Sequence, residues 1–281
     1  MSALSPTDSG ISRRLRRTFL RGLLFPASFL FFLSGILLFL TLTDRPAFAQ
    51  IGPTGQTFEL EGGETVFSQN SQYYFAMAGD FISLGGQEDA RRTATDVGTA
   101  SLSDPSLHLF VLASYFAYET PGTGGSTVNA YNGIAPAAGV RIPLREGFWE
   151  GDVGVAVANA LATGTPVETV VGVYLQSEYY SLLGPGALDL FANFTGYISY
   201  LYGQARWLVP ARKVRDLAEL FLGPELIGQG NNSYNAQQGG AAIGLSLPRI
   251  HSYLTLDGGL LRSSVSSGWG GYQGFSWYVS Y

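Results

Sequence analysis

The amino-acid sequence predicts an all-β protein: an antiparallel transmembrane β-barrel of about 10–12 strands that follows a cleaved signal peptide. Three observations carry this prediction: an alternating aromatic closing segment, an export signal at the amino terminus, and the absence of any later apolar run of helix-spanning length. A membrane helix needs about 20 apolar residues, whereas a tilted strand crosses with about 9–11. After residue 50 the chain can therefore cross a membrane only through strands.

The closing segment alternates large apolar side chains with small ones. Phe275, Trp277, Val279 and Tyr281 share one face of a strand, and Gly274, Ser276 and Ser280 share the other. Because successive side chains of a strand point to opposite faces, one face can meet lipid while the other meets a polar interior. The alternative is a terminal strand that packs on the core of a soluble β-sandwich.

The first 49 residues are organised as a signal peptide. Five arginines lie within Arg13–Arg21, an apolar run covers Leu23–Leu42, and Ala47–Ala49 supplies a small-x-small cleavage site. We expect cleavage between Ala49 and Gln50, and location in the outer membrane. An uncleaved anchor is the alternative, since the run is long enough to span a bilayer. Arg16-Arg17 also resembles a twin-arginine export signal. That route exports folded proteins, so it does not suit a barrel that must cross the inner membrane unfolded.

Residues 50–281 form one predicted barrel domain, which is acidic. Of the 16 basic and 21 acidic residues, six and two lie in residues 1–49, so ten basic and nineteen acidic residues remain, a formal charge of −9. Phosphate binding needs clustered lysine and arginine, so a nucleic-acid partner is excluded and membrane lipid is the expected partner. The chain has no cysteine, which excludes disulfides and thiolate metal sites.

Turn signals divide the barrel domain into eleven segments of strand length. These cover 58–67, 73–83, 107–118, 134–144, 150–161, 167–180, 188–203, 216–228, 237–247, 252–264 and 271–281. Single-chain bacterial barrels favour even strand numbers, so eleven is not the expected count. The segment 58–67, which contains three glutamates, is the weakest strand prediction of the eleven. Two polar segments are expected to be loops, Pro121–Ser126 and Gly85–Pro105, and the length of the second predicts an extracellular loop.

Alternation is clearest in the second half of the chain. Val153, Val155 and Val157 alternate with small or acidic residues, as do Val167, Val171, Val173 and Leu175, and Ala241, Ile243, Leu245 and Leu247. The export signal and the aromatic terminus favour a lipid-facing position for the bulky face. We therefore expect a narrow interior filled by tyrosine, arginine and glutamate side chains.

The sequence predicts no catalytic, cofactor-binding or metal-binding residue. The two histidines, His108 and His251, have no cysteine, histidine or carboxylate nearby at ligand spacing. Barrel hydrolases use a serine with a histidine, but Ser252 and His251 are adjacent and would point to opposite faces of a strand. No Gly-x-Ser-x-Gly elbow or Gly-Lys-Ser/Thr phosphate loop occurs.

A polar network inside the barrel is predicted for Glu178, Arg206 and Glu225. Gly223-Pro224 predicts a bend in its strand, since proline cannot donate to the ladder and glycine tolerates a bulge. A carboxylate in a narrow barrel needs a cation or hydrogen-bond donors, so Arg206 is the expected partner of Glu225. We interpret the network as structural rather than as a ligand site.

From Gln176 onward, over roughly a hundred residues, the order of features resembles the bacterial cellulose biosynthesis BcsS family. The matching residues are Glu178-Tyr179-Tyr180, Tyr197-Ile198-Ser199-Tyr200, Tyr202-Gly203-Gln204-Ala205-Arg206, Leu222-Gly223-Pro224-Glu225-Leu226, Gly228, Gly230, Tyr234 and the glycine-rich aromatic closing strand. The most specific part is Gly223, Pro224 and Glu225, followed by an Asn-Asn turn and Tyr234. One departure is Gln237-Gln238, where the family usually has an arginine.

This resemblance implies a non-enzymatic outer-membrane barrel that is accessory to cellulose biosynthesis or export. The implied partners are the synthesis or export proteins or the glucan itself. Two alternatives remain open on the residues alone: a general porin-like channel, and a barrel hydrolase that acts on lipid or protein.

Overall fold

The computed structural model describes residues 56–67, 71–84, 104–122, 125–162, 166–215, 217–232, 234–264 and 268–280. The chain divides into two units, Met1–Ile51 and Gly52–Tyr281, and every described element belongs to the second. The predicted signal peptide and its cleavage site between Ala49 and Gln50 lie outside the described residues, as does Tyr281.

Twelve strands account for nearly all of the described chain. They are β1 (Gln56–Phe67), β2 (Ser71–Ser83), β3 (Ser106–Gly122), β4 (Gly125–Leu144), β5 (Gly147–Ala162), β6 (Glu168–Leu183), β7 (Gly186–Thr195), β8 (Tyr200–Val214), β9 (Ala218–Gly230), β10 (Asn235–Leu247), β11 (Ser252–Ser263) and β12 (Trp269–Ser280). Single 3-10 turns occur at Gly196–Ile198 and Pro248–Ile250. No helix among these residues is long and apolar enough to cross a membrane.

The strands form a closed antiparallel barrel in which each strand pairs with its neighbours in sequence. Closure is made by β1 and β12, whose register runs from Glu59 opposite Ser280 to Phe67 opposite Tyr272. Because all strand edges are paired, the backbone needs no hydrogen bonds from the surroundings, as lipid requires. The predicted transmembrane β-barrel of 10–12 strands is confirmed, with twelve.

The bulky apolar face points outward, as predicted. Val153 and Val155 of β5 are 58% and 52% exposed, whereas Asp152 and Ala156 on either side of them are buried. The same alternation continues on β6, where Val171 is 64% exposed and Tyr174 is buried. An outer surface of valine, leucine and isoleucine is stable only against hydrocarbon, so this surface is the lipid-facing wall.

The sequence predicts eleven strand segments, one fewer than the twelve strands of the structure, because one turn has no recognisable sequence signal. The predicted strand 188–203 is two strands, β7 and β8, separated by the 3-10 turn and by Ser199 in the left-handed region (φ 50°). The missed half of β8 contains Pro210 and Arg212, where the register with β9 shifts. A proline at a bulge does not interrupt a ladder hydrogen bond, so the strand continues past it.

Of two further predictions on strand geometry, one is wrong and the other stays a prediction. The register shows no bulge at Gly223 and Pro224, because Arg206 opposite Glu225 and Val209 opposite Leu222 belong to one register, and the bend predicted there stays a prediction. The predicted loop Pro121–Ser126 is mostly strand, since β3 continues to Gly122 and β4 begins at Gly125. Proline lacks a backbone N–H, but at the tip of a hairpin this loss does not interrupt the ladder, so Pro121 is tolerated at the end of β3.

The two ends of the barrel differ in the length of one connection. We call the end that holds Gln56 and Ser280 the terminal rim, and the other end the opposite rim. Six connections of two to five residues lie at the opposite rim. The 22-residue connection 84–105 begins and ends at the terminal rim, as the hydrogen bond from Leu84 N to Pro105 O shows.

The predicted loop Gly85–Pro105 therefore starts and ends at the terminal rim. Residues 85–103 lie outside the described part of the chain. The extracellular position of this loop stays a prediction.

An arginine on the lipid-facing wall should destabilise the barrel. Val155 lies near the middle of β5, and Val155→Arg should lower the free energy of unfolding by about 2–4 kcal/mol, the cost of a cation near the bilayer midplane. Urea unfolding from lipid vesicles measures this loss, with Val155→Leu as the matched apolar control. Equal stability of the arginine and leucine variants would contradict the assigned facing.

Candidate functional site

The interior of the barrel is filled by side chains in layers. Nearest the opposite rim is an apolar cluster composed of Phe67, Ile227, Tyr234, Ala236, Leu261 and Tyr272, with Tyr200 and Tyr202 against it. A second apolar cluster, composed of Met77, Phe110, Leu112, Ala135, Ala156 and Tyr174, lies on the β2–β6 side. Two charged clusters occupy the remaining layers. The interior is thus a packed core, as expected for a narrow barrel.

The residues of the BcsS-like motif contribute to this core. The side-chain oxygen of Asn231 accepts a hydrogen bond from Tyr234 N at 2.9 Å, and Asn231 N donates to Tyr234 O at 2.7 Å, which closes the β9–β10 turn. This turn places Tyr234 in the apolar cluster. Pro224 points outward and Glu225 inward, with Gly223 packed closely under the Trp207 carbonyl.

The first charged group, which we call the Arg206 cluster, comprises Gln204, Arg206, Glu225, Asp257 and Tyr272. Arg206 and Glu225 are direct cross-strand partners on β8 and β9, and Arg206 Nε donates to Glu225 Oε2. Gln204 donates to the same oxygen at 2.9 Å, and the Tyr272 hydroxyl donates to Glu225 Oε1 at 3.0 Å. Asp257 lies 3.8 Å from the Arg206 guanidinium.

Glu225 is only 1% exposed, so its charge needs these partners. Gln238, one of the two glutamines at the position where the family usually has arginine, also points inward. It is 4% exposed, and both of its amide atoms are without a hydrogen-bond partner among the described residues. The donors to Glu225 therefore come from β8 and β12 rather than from β10.

The third residue of the predicted network, Glu178, lies elsewhere in the interior. It is the cross-strand partner of Glu150 on β5, whereas the ion pairs of Arg206 go to Glu225 and Asp257. The structure thus brings Arg206 and Glu225 together and places Glu178 beside a different set of charges.

That set is the second charged group, which we call the His108 cluster: Glu59, His108, Arg141, Glu150 and Asp152. His108 Nε2 lies 2.7 Å from Glu59 Oε1. His108 Nδ1 lies 3.0 Å from Asp152 Oδ1 and 3.1 Å from Glu150 Oε1. Arg141 holds the other oxygen of Glu150 through Nε and Nη2, both at 2.7 Å.

Aromatic rings enclose this cluster. The Phe81 ring stacks on His108 with centroids 4.2 Å apart and an 11° interplanar angle, and Phe110 stacks at 4.7 Å. The Arg141 guanidinium carbon lies 3.9 Å from the Phe81 centroid and 4.1 Å from that of Phe148. All five members of the cluster are buried, with exposures between 1% and 8%.

Two glycines make room for the carboxylates. A methyl group at Gly139 would overlap Asp152 Oδ1, and one at Gly79 would come within 2.9 Å of Glu59 Oε1. Both glycines pair with strands of the cluster, Gly139 opposite Asp152 and Gly79 opposite Glu59. The close approach of these carboxylates therefore depends on the missing side chains.

Sequence spacing does not reveal the His108 cluster. His108 is separated by 49 residues from Glu59 and by 44 from Asp152. Alternation does indicate that Glu150 and Asp152 face inward, because Val153 and Val155 face lipid. It does not indicate which inward residues meet across the interior.

Neither histidine is placed for a serine-hydrolase pair. Both ring nitrogens of His108 lie against carboxylates. His251 is exposed in a turn with φ 48°, and Ser252 lies on the outward face of β11, where Trp277 of the same face donates to it.

Comparisons with known proteins find matches among solved structures alone, at low identity. No protein-family model matches the chain, and no curated protein matches it. The translocator domain of the autotransporter NalP from Neisseria meningitidis is 13% identical, with a TM-score of 0.44 over 88% of this chain and 95% of that one. The beta domain of the Bordetella autotransporter BrkA is 8% identical, with a TM-score of 0.42 over 79% of this chain and 98% of that one. The transport unit of AIDA-I from Escherichia coli is 11% identical, with a TM-score of 0.40 over 82% and 91%.

Removal of the arginine from the Arg206 cluster should be costly. Arg206→Met leaves Glu225 buried without its cation, and loss of one partner of a buried pair costs about 3–5 kcal/mol. The double variant Arg206→Met with Glu225→Gln should recover much of this loss, because Glu225, the carboxylate bonded to Arg206, no longer carries a charge and only the more distant Asp257, at 3.8 Å, loses its cation.

Urea unfolding of the two variants tests the pair. Arg212→Met, which removes an exposed arginine from the same strand, is the control and should change stability by less than about 0.5 kcal/mol. A single variant as stable as this control would show that Glu225 does not depend on Arg206.

Proposed function

We propose that this protein is an outer-membrane β-barrel that acts as a non-enzymatic, non-conducting accessory of cellulose biosynthesis or export. The closed barrel with an apolar outer wall, together with the predicted signal peptide, supports the outer-membrane location. The BcsS-like order of residues from Gln176 onward supports the pathway. The partners we propose are the synthesis or export proteins or the glucan itself.

One observation carries the accessory role over a channel role: side chains meet across the interior. Phe116 of β3 and Tyr200 of β8 have ring centroids 5.4 Å apart, although four strands separate β3 from β8 on the shorter way around the barrel. Tyr131 of β4 and Tyr197 also meet, at 5.9 Å. A glucan or a hydrated solute would have to displace these rings, so transport would follow a route outside this barrel.

A periplasmic attachment role is our proposal for the terminal rim. The connections at the opposite rim have at most five residues, whereas connection 84–105 of the terminal rim has 22. This connection is the longest between two described strands, so it offers the most chain to a partner. We propose that the terminal rim faces the periplasm and that the barrel anchors periplasmic or membrane-embedded parts of the synthesis machinery at the outer membrane.

Single-channel recording distinguishes this proposal from the porin-like alternative. The purified mature barrel in planar lipid bilayers should show no stable conductance, because Phe116 and Tyr200 meet across the lumen. Replacement of both by alanine should raise the conductance, whereas Tyr115→Ala, on the lipid-facing side of the same strand, should not. Stable steps from the wild-type protein would support a porin instead.

Secreted cellulose tests the pathway. A clean deletion strain should release less glucose on cellulase treatment, and the wild-type gene should restore it. The variant with alanine at positions 116 and 200 should also restore it, since the proposed role does not use the lumen. Unchanged cellulose in the deletion strain would contradict the accessory role.

A further inference from the structure

The His108 cluster has one more negative charge than its own side chains can balance. Three carboxylates, from Glu59, Glu150 and Asp152, surround His108, and Arg141 supplies the only other positive charge within the cluster. Even a fully protonated histidine leaves one carboxylate uncompensated. Buried charges without compensation are unfavourable, so such a cluster favours an additional cation.

The hydrogen bonds of the cluster are incomplete in the same place. His108 Nδ1 carries at most one hydrogen, yet it faces both Glu150 Oε1 and Asp152 Oδ1. Asp152 Oδ2 is buried and has no hydrogen-bond partner among the described residues, and the Asp152 side chain is 0% exposed. A fully buried carboxylate oxygen without a hydrogen-bond partner, beside a nitrogen that faces two carboxylates, is the arrangement expected of metal ligands.

We propose that His108 Nδ1, Glu150 Oε1 and the Asp152 carboxylate bind a divalent transition-metal ion of the Zn²⁺ type. These three donor groups lie within 4.8 Å of one another. The distances from Nδ1 to the two carboxylate oxygens, 3.0 and 3.1 Å, are close to the edge of about 3.3 Å in a tetrahedral site with bonds of about 2.0–2.1 Å. The imidazole ligand favours Zn²⁺ over Mg²⁺ or Ca²⁺, which prefer oxygen.

The neighbours of the three ligands fit the supporting roles that such a site needs. Glu59 accepts the Nε2 hydrogen of His108 at 2.7 Å, which leaves the Nδ1 lone pair for the metal. Arg141 holds the second oxygen of Glu150 and leaves Oε1 directed at the site. With a doubly charged ion and neutral His108, the three carboxylates are balanced by the ion and Arg141. This site departs from the sequence prediction of no metal-binding residue.

The metal would join β3 to β5 across the intervening strand β4. Its ligands lie two to five residues from the strand ends at the terminal rim. This is the rim that we propose to face the periplasm, which would supply the ion. Three protein ligands leave one coordination position for water, or for a group on another molecule that reaches this rim.

Zinc binding by the folded barrel tests the proposal. The mature chain, purified with a histidine-free tag and stripped with chelator, is dialysed against ZnCl₂ in detergent, and bound zinc is measured by mass spectrometry. We expect one Zn²⁺ per barrel. Asp152→Asn and His108→Gln should bind at least about tenfold more weakly. The matched controls Asp257→Asn and His251→Gln should bind like wild type.

A second variant and a spectrum keep the test decisive if His108→Gln fails to fold. Gly139→Ala displaces Asp152 without altering any ligand and should also lose zinc. Co²⁺ in place of Zn²⁺ should give visible absorption bands in the wild type that are absent in Asp152→Asn. A folded barrel that binds no stoichiometric zinc, or equal binding by Asp152→Asn and Asp257→Asn, would overturn the proposal and leave a proton-bonded structural cluster.

Discussion

Closure of β1 against β12 is the constraint on which the rest of this structure depends. In hydrocarbon an unpaired strand edge would leave a row of backbone donors and acceptors without partners, each at a cost of several kcal/mol. The register that starts at Glu59 opposite Ser280 removes that edge. Closure with twelve strands then fixes a diameter small enough for side chains from distant strands to touch, as Phe116 and Tyr200 do.

Because the interior is narrow, polar side chains there must find their hydrogen-bond and ion-pair partners among one another. The two charged clusters do so differently. Glu225 has an arginine, an amide and a hydroxyl as hydrogen-bond donors, so this carboxylate is well compensated. In the His108 cluster, Asp152 and Glu150 share one nitrogen, and Asp152 keeps an oxygen without a partner. The least satisfied carboxylate of the two clusters is thus Asp152 of the His108 cluster.

The wall of the barrel was predictable because side-chain alternation is local. Val153, Val155 and Val171 are lipid-facing, as their pattern predicts, and Arg206 and Glu225 face each other inside. The turn at Gly196–Ile198 was missed because no Asn-Gly or Pro-Gly signal marks it, and Ser199 adopts its left-handed conformation through the local turn geometry. The His108 cluster could not be predicted, since its contacts depend on barrel closure and register. Even so, the tight β4–β5 hairpin would have aligned Arg141 with Glu150.

The uneven strand lengths at the opposite rim have a consequence for how a cell carrying this barrel would meet its surroundings. The pairing of β3 with β4 runs to Gly122 opposite Gly125, five residues beyond Ala117, the last β3 residue that pairs with β2. On the other side, β4 extends four residues beyond Asn129, where its pairing with β5 ends. Antibodies and bacteriophages attach to the protruding parts of outer-membrane proteins. With the terminal rim in the periplasm, as proposed, this hairpin would be the part of the wall that they meet first, and selection for sequence variation should be strongest there.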